Sequence, residues 1–462
     1  MSAQSNQPTW PRLVAFSAPA LPLALLLIPL TTLLPTYYSQ ATSLSLQTIG
    51  FVFLAARLFD GVIDPVIGLA SDRTPSRYGR RRSWMMAGAL LAMLGCWFVF
   101  FPGADATAVT LTLSLTVLYA GWTMIAVPHY SWTAELSTDY AARAKIAGIR
   151  DAMYFLGVVV GAILIGVLTE IYKGIDARML PALGYTGLVL LPLTVLASIA
   201  ALREAPVAHK PQPVLADVRA AFGVLRDTPP FRRLVILFGC AHLGAAISNT
   251  LSFLYMQHVQ ESPQAVGTLV LVFFGATLLG LPLWVRLSYR YTKHRVCAIC
   301  CIVLIAACAA TFFTPRGHVT LYLALVAVAG LANGGALSLP NAITADVVDY
   351  DTLINGGDRA GLFFSLKLLV AKLCNALAVG VAFPLLGAFG FQATGANTDE
   401  ALLALRVLYC CFPIPLLLVT VLLLWRFPLD PRRVGVVQRR IAARRSREAL
   451  QPAAVQMASA RP

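Results

Sequence analysis

Charge is what this sequence has least of. Only 12% of its 462 residues are Asp, Glu, Lys or Arg, against about a quarter in soluble chains, and 58% are hydrophobic. That balance excludes a water-soluble globular domain, whose surface needs more polar cover, and a disordered chain, which cannot be so apolar. Acid is scarcer than base, with 21 Asp and Glu against 36 Lys and Arg and a net charge of +15. Such an excess would suit nucleic acid if it were clustered. The basic residues instead lie between and after apolar stretches, so anionic membrane lipid is the expected partner and no nucleic acid is. All nine cysteines fall inside apolar stretches, which gives no disulfide framework. Cys297-x-x-Cys300 has neither a second pair nor clustered His beside it, so no metal site is expected there. No loop carries a nucleophile with its base or a phosphate-binding motif, so an enzyme is not expected and no cofactor is implied. The apolar run after Arg12 is too long for a cleavable leader and reads as a first span.

Apolar stretches are abundant. Twelve of them, each long enough to cross a bilayer, are expected near 13–35, 47–71, 84–102, 108–134, 148–172, 183–202, 231–256, 265–288, 296–314, 319–345, 361–388 and 402–427. Pro206, Pro211, Pro213, Pro229 and Pro230 mark a break between two sets of six. The domains expected are thus a six-helix bundle over 1–202, a linker over 203–230 with an amphipathic surface helix, a second bundle over 231–427 and a basic tail over 428–462. The fold class is an all-α membrane protein whose two bundles are pseudo-symmetric. The loop SDRTPSRYGRRR after the second span has a weaker counterpart, LSYRYTKHR, after the eighth. Lys and Arg concentrate in alternate loops and in the tail, which places both termini in the cytoplasm.

The most informative stretch runs from Arg57 to Arg82. Arg57, Asp60 and Asp64 are spaced i, i+3 and i+7, so they share one stripe of an otherwise apolar helix. Each charge at mid-membrane costs about 2.5–3.5 kcal/mol on insertion scales, and three within two turns point to an ion or proton site. An Arg57–Asp60 pair that merely positions the helix is the alternative, and it leaves Asp64 alone. Pro65 lacks an N–H and frees the carbonyl of Gly61 as a further oxygen. Two turns of aromatic residues, Tyr119, Trp122, His129, Tyr130 and Trp132, either pack the bundle or stack on a ring-shaped or amphipathic solute. Asn249 either bonds a neighbouring helix or serves the solute.

RLFDGVIDPVIGLASDRTPSRYGRRRSW resembles, nearly position for position, a segment of the glycoside–pentoside–hexuronide:cation symporters, the melibiose permease group of the major facilitator superfamily. VPHYSWTAELSTDYAARAKIAGIR and ADVVDYDTLINGGDRAGLFFSLKLLVAKL fit the same family. The resemblance implies the major facilitator fold and cation-coupled transport of a small organic solute such as a sugar, glycoside or uronate. A lysolipid carrier or a non-transporting sensor on the same fold are the alternatives, and the chain is expected to act as a monomer. The resemblance implies that Asp60, Asp64 and Thr123 bind the coupling cation, H⁺ or Na⁺, with Ile63 in place of a common asparagine tilting the choice towards H⁺. It implies that Arg150 and Lys372 link the cation and solute sites. The acidic residues that grip galactoside in the melibiose permease fall here on apolar positions, near Ala20 and at Ala126, so a melibiose-like solute is not expected. Arg57, Asp72, Arg73, Arg77, Gly79 and Arg80, with Asp346, Asp349 and Asp351 at the end of the tenth span, are expected to form a gate of ion pairs between the halves. Anchoring by positive charge alone would explain the arginines but not the aspartates.

Overall fold

A computed structural model describes residues 9–440 and 443, apart from 43, 75, 104–105, 137–139, 173–177, 203, 205–222, 224, 356–359 and 431. Among the described residues the chain forms helices and no strand, and twelve helices are long and apolar enough to cross a membrane. They are α1 (Trp10–Gln40), α2 (Leu46–Arg73), α3 (Arg80–Phe100), α4 (Ala108–Glu135), α5 (Tyr140–Tyr172) and α6 (Met179–Ala201). After the linker come α7 (Pro229–His258), α8 (Val266–Arg290), α9 (Lys293–Phe312), α10 (Val319–Asn355), α11 (Ala360–Ala388) and α12 (Asp399–Trp425). The surface helix expected in the linker falls largely on 205–222, outside the described residues, as do Arg444, Arg445 and Arg447 of the tail.

Hydropathy finds the spans but misjudges their ends and their regularity. α10 has 37 residues, about 55 Å at 1.5 Å per residue, against an apolar layer of about 30 Å. Its last turns, with Asp346, Asp349 and Asp351, therefore extend beyond the stretch that apolarity marks. α1 is not one regular helix: it breaks between Ser17 and Ala20 and widens into a π turn over Pro29–Leu33. Pro19 and Pro29 lie at these places, each removing a backbone donor that a regular helix needs. α12 has a similar π turn over Val407–Cys411, just ahead of Pro413.

The two sets of six helices meet most closely at the helix ends remote from the chain termini. There α5 lies on α8 with so little space that a Cβ on Gly267 would stand 2.2 Å from the Gly166 Cα. On the neighbouring seam a Cβ on Gly50 of α2 would stand 2.7 Å from the Pro384 ring of α11. Gln40 at the end of α1 donates to Gln257 Oε1 at 2.8 Å on α7, another tie at the same end. Without an apolar driving force between helices in lipid, small residues of this kind let backbones come close enough for dispersion to hold them.

A side chain at position 267 would separate α5 from α8. Overpacking of this sort costs about 1–3 kcal/mol, so Gly267→Leu is expected to shift the balance of conformations about 5- to 150-fold away from this one. Spin labels near Gly166 and Gly267, measured by pulsed electron resonance, should move to longer distances. An unchanged distribution would contradict the packing just described.

Candidate functional site

The charged stripe of α2 is met by α4 and α11. Pro65 sits inside α2 without ending it, so Asp60 and Asp64, one turn apart, point the same way. Asp60 and Thr123 are buried, at 2% and 1% exposure. Thr123 Oγ1, on α4, lies 3.0 Å from Asp60 Oδ1 and 2.9 Å from Asp64 Oδ1. A hydroxyl has one proton, so it donates fully to one carboxylate at a time and leaves the second contact short of a positive partner. Lys372 of α11 supplies one: its Nζ is 3.1 Å from Asp60 Oδ2 and 2.6 Å from Asp64 Oδ2. Arg57 stands 3.7 Å from Asp60 Oδ2 with its guanidinium 4.3 Å over the Tyr119 ring. Two positive and two negative groups thus share one locus. One oxygen of each carboxylate meets the ammonium and the other meets Thr123 Oγ1, so the side-chain oxygens of Asp60, Asp64 and Thr123 lie together as a donor set suited to a hard cation or to protons.

Several expected residues sit elsewhere. Arg150 does not reach the carboxylate pair: it bonds Asp151 at 2.8 Å and lies 4.2 Å over the Tyr130 ring. The neighbouring acid is nearer, and α5 turns Arg150 towards it. Arg57, expected at the gate, belongs instead to the carboxylate cluster, because its turn of α2 faces Tyr119 well inside the bundle. Tyr119, His129 and Trp132 are almost wholly buried. His129 Nε2 donates to the Phe16 carbonyl at 2.9 Å, and the edge of Trp132 meets Phe16 at 5.0 Å between ring centres. His129 and Trp132 brace the break in α1, where a freed carbonyl needs a donor, and Tyr119 lies under Arg57. Trp122 packs half-buried against the same core, while Tyr130 is exposed under Arg150.

Asn249 does face a cavity. This space, about 530 Å³, is walled chiefly by α7, α8, α9, α10 and α12, with Lys367, Asn375 and Val379 of α11 on one side and Tyr154 and Phe155 of α5 and Leu27 and Thr31 of α1 reaching it from the other half. Its lining is mostly apolar, broken by His242, Asn249, Asn333, Asn341, Lys367 and Asn375. Lys367 lies inside the family-like segment ADVVDYDTLINGGDRAGLFFSLKLLVAKL but is not one of the residues that the resemblance singles out, and His242 lies in no motif; a lysine within an apolar span was the available signal.

Several of the gate residues have partners on neighbouring elements of the chain. Asp346 takes Lys293 Nζ at 2.7 Å, Asp349 accepts from Gln438 at 3.3 Å, and Asp351 accepts from Thr228 at 3.0 Å. Arg77 lies 4.7 Å over the Tyr78 ring, and Arg80 is 3.5 Å from Glu204 Oε1. The side chains of Asp72 and Arg73 lie outside the described residues. Glu204, which nothing in its sequence context singles out, caps α3: both its carboxylate oxygens accept from the Arg81 N–H, at 3.1 and 3.0 Å. Gly79 permits this. Its φ is +103°, and a Cβ there would stand 2.6 Å from Glu204 Oε2.

A twelve-helix bundle with an intramembrane charge cluster and a central cavity narrows the choice of families, and one family model, described as MFS/sugar transport protein, matches residues 15–431. The chain belongs to that family. As an MFS sugar-transport protein it is a multi-pass membrane carrier and not an enzyme. It is 24% identical over 426 residues to the putative glycoside/cation symporter YagG of Escherichia coli, covering 90% of this chain and 91% of that one. It is 22% identical over 406 residues to the glucuronide carrier protein homolog of the same organism, covering 86% and 88%. A sodium-dependent lysophosphatidylcholine symporter of Xenopus tropicalis is 22% identical over 429 residues, covering 83% and 80%. The solved nucleoside transporter NupG has the same fold, with a TM-score of 0.65 at 13% identity, covering 91% of this chain and 100% of that one.

In this MFS protein Lys372 is the cation closest to both carboxylates. Removing one partner from a buried ionic group typically costs about 3–5 kcal/mol, so Lys372→Met should lower the melting temperature of the purified protein sharply. Lys372→Met with Asp64→Asn should recover much of the loss, since the second change removes the stranded charge. If the double variant melts as low as the summed effects of the two single changes, the groups are not coupled.

Proposed function

We propose that this protein carries a small organic solute, a sugar, glycoside or uronate, together with a cation by alternating access. The observation that carries this reading is the ammonium of Lys372 set between Asp60 and Asp64. α2 belongs to the first set of helices and α11 to the second, so the pair is an ionic tie across the seam on which the halves rock. Without a coupling ion, Lys372 and Arg57 together balance the two carboxylates, and Lys372 holds α11 to α2. A Na⁺ bound by Asp60, Asp64 and Thr123, or protons on the two carboxyl groups, removes the need for Lys372 and releases that tie. H⁺ remains favoured by Ile63; the sodium dependence named for the Xenopus relative makes Na⁺ the alternative. One cation entering down 100 mV yields about 2.3 kcal/mol and a tenfold ion gradient about 1.4 kcal/mol, enough for several-hundredfold accumulation.

The chain is proposed to sit in a bacterial inner membrane as a monomer, with both termini and the arginine-rich loops cytoplasmic. The halves then close on the outer side in this conformation. In the opposite one, Arg77, Arg80 and the loop around Gly79 are proposed to meet Asp346, Asp349 and Asp351 and close the inner side. Asp349→Arg is expected to populate the inward-open form and slow turnover at least tenfold; an unchanged rate counts against the gate. An amphipathic solute is a second reading, favoured by the apolar cavity wall.

Proteoliposomes test the coupling. With wild-type protein, solute uptake should follow an imposed pH or Na⁺ gradient and collapse with an uncoupler or with Na⁺ equilibration. Asp60→Asn and Asp64→Asn should each lose gradient-driven accumulation by tenfold or more. Accumulation by both variants that still collapses in the same way would disprove the assignment, and binding without counterflow would point to a sensor.

A further inference from the structure

α11 carries two lysines five residues apart, roughly 140° around the helix from one another, and the bundle treats them differently. Lys372 faces α2 and is compensated by two carboxylates. Lys367 faces the cavity, is 8% exposed, and has no carboxylate partner among the described residues. Its Nζ donates to Asn341 Oδ1, reaches Thr344 Oγ1 only at 3.5 Å, and lies 5.1 and 5.6 Å from the Phe238 and Phe364 ring centres. None of these groups carries a negative charge. An ammonium held out of water costs several kcal/mol, and cation–π contacts return about 0.5–2 kcal/mol each. A charge left in deficit on a cavity wall is a place for an anion.

A second group points the same way. His242 of α7 lines the cavity with its ring stacked on Phe238, 5.3 Å between centres, and its buried Nε2 has no hydrogen-bond partner among the described residues. In the tautomer protonated at Nε2 it is a donor awaiting an acceptor. Asn341 and Asn375 line the same space. Beyond this polar corner the wall turns apolar, through Phe155, Leu269, Phe273, Phe274 and Leu325.

We infer that the solute is an organic anion with an apolar body, its negative group seated against Lys367 and His242 between α7, α10 and α11 and its body along the α8 wall. This rests on the carrier reading above and adds to it a solute class and a subsite in the second half of the chain. A neutral sugar would satisfy hydrogen bonds at this corner but not the charge. The anion is a carboxylate or a phosphate ester; both fit the same donors.

The test measures equilibrium binding by melting temperature and calorimetry on the purified full-length protein in detergent, independently of any ion gradient. The probes are 4-nitrophenyl glucuronide, its uncharged twin 4-nitrophenyl glucoside, and a monoacyl glycerol phosphate. Wild-type protein is expected to bind at least one anion ten times or more tightly than the neutral twin. Lys367→Met is expected to abolish that preference and, by removing an uncompensated charge, to leave the ligand-free protein as stable or more so; Lys367→Arg is expected to retain it. The glucuronide binding alone identifies a carboxylate solute, and the acyl phosphate binding alone a lipid-like one. Equal binding of both twins, anion preference surviving in Lys367→Met, binding of neither anion at millimolar concentration, or a ligand-free Lys367→Met protein that melts well below wild type would each overturn the inference. Anion binding without gradient-driven uptake would defeat the carrier reading and leave the subsite standing. Gradient-driven uptake of the neutral twin, unchanged in Lys367→Met, would do the reverse.

Discussion

An ammonium between two carboxylates is the constraint on which this structure turns. Asp60 and Asp64 are adjacent turns of one helix and cannot move apart, so their charges must be answered where they stand. Lys372 answers both, with Nζ 3.1 and 2.6 Å from their oxygens. In water such a tie would contribute little; in a low-dielectric seam the uncompensated alternative is so costly that the arrangement of helices follows the charge. Because the partners belong to different six-helix sets, the contact ties α2 to α11 across the seam between them.

The same helix connects this seam to the cavity. α11 is a continuous helix from Ala360 to Ala388, and a rigid rod with Lys372 on one side and Lys367 on another cannot shift one without shifting the other. A cation arriving at α2 and an anion arriving at α7 and α10 would act on one body from two sides. This is a physical route for coupling that needs only helix rigidity and two charges, with no chain of intervening side chains.

The two ends of the bundle are held by different physics. At the end remote from the termini, Gly166 and Gly267 let helices of opposite halves come into backbone contact, and Gly50 takes the ring of Pro384. That contact is good only when close, and it is lost entirely when the halves part. Towards the other end, the basic loop is secured within its own half by Glu204 on the first turn of α3. The aspartates of α10 are likewise satisfied locally, by Lys293 and Thr228.

Much was legible in the sequence. Apolar length determined the twelve spans, because a bilayer sets the number of residues a helix needs. The i, i+3, i+7 spacing put Arg57, Asp60 and Asp64 on one stripe, and family motifs joined Thr123 and Lys372 to them. Each is a property of residues near one another along the chain or of a matched pattern. Only the tertiary structure decided which groups answer which charges. Arg150 turns to Asp151, His129 serves the broken backbone of α1, and Lys367 stands near His242 with no carboxylate partner among the described residues. Those outcomes depend on which helices abut and at what rotation. Hydropathy cannot report this, because in a bundle so uniformly apolar the faces of a helix differ by a few polar atoms whose partners are set by helix contacts and not by place along the chain.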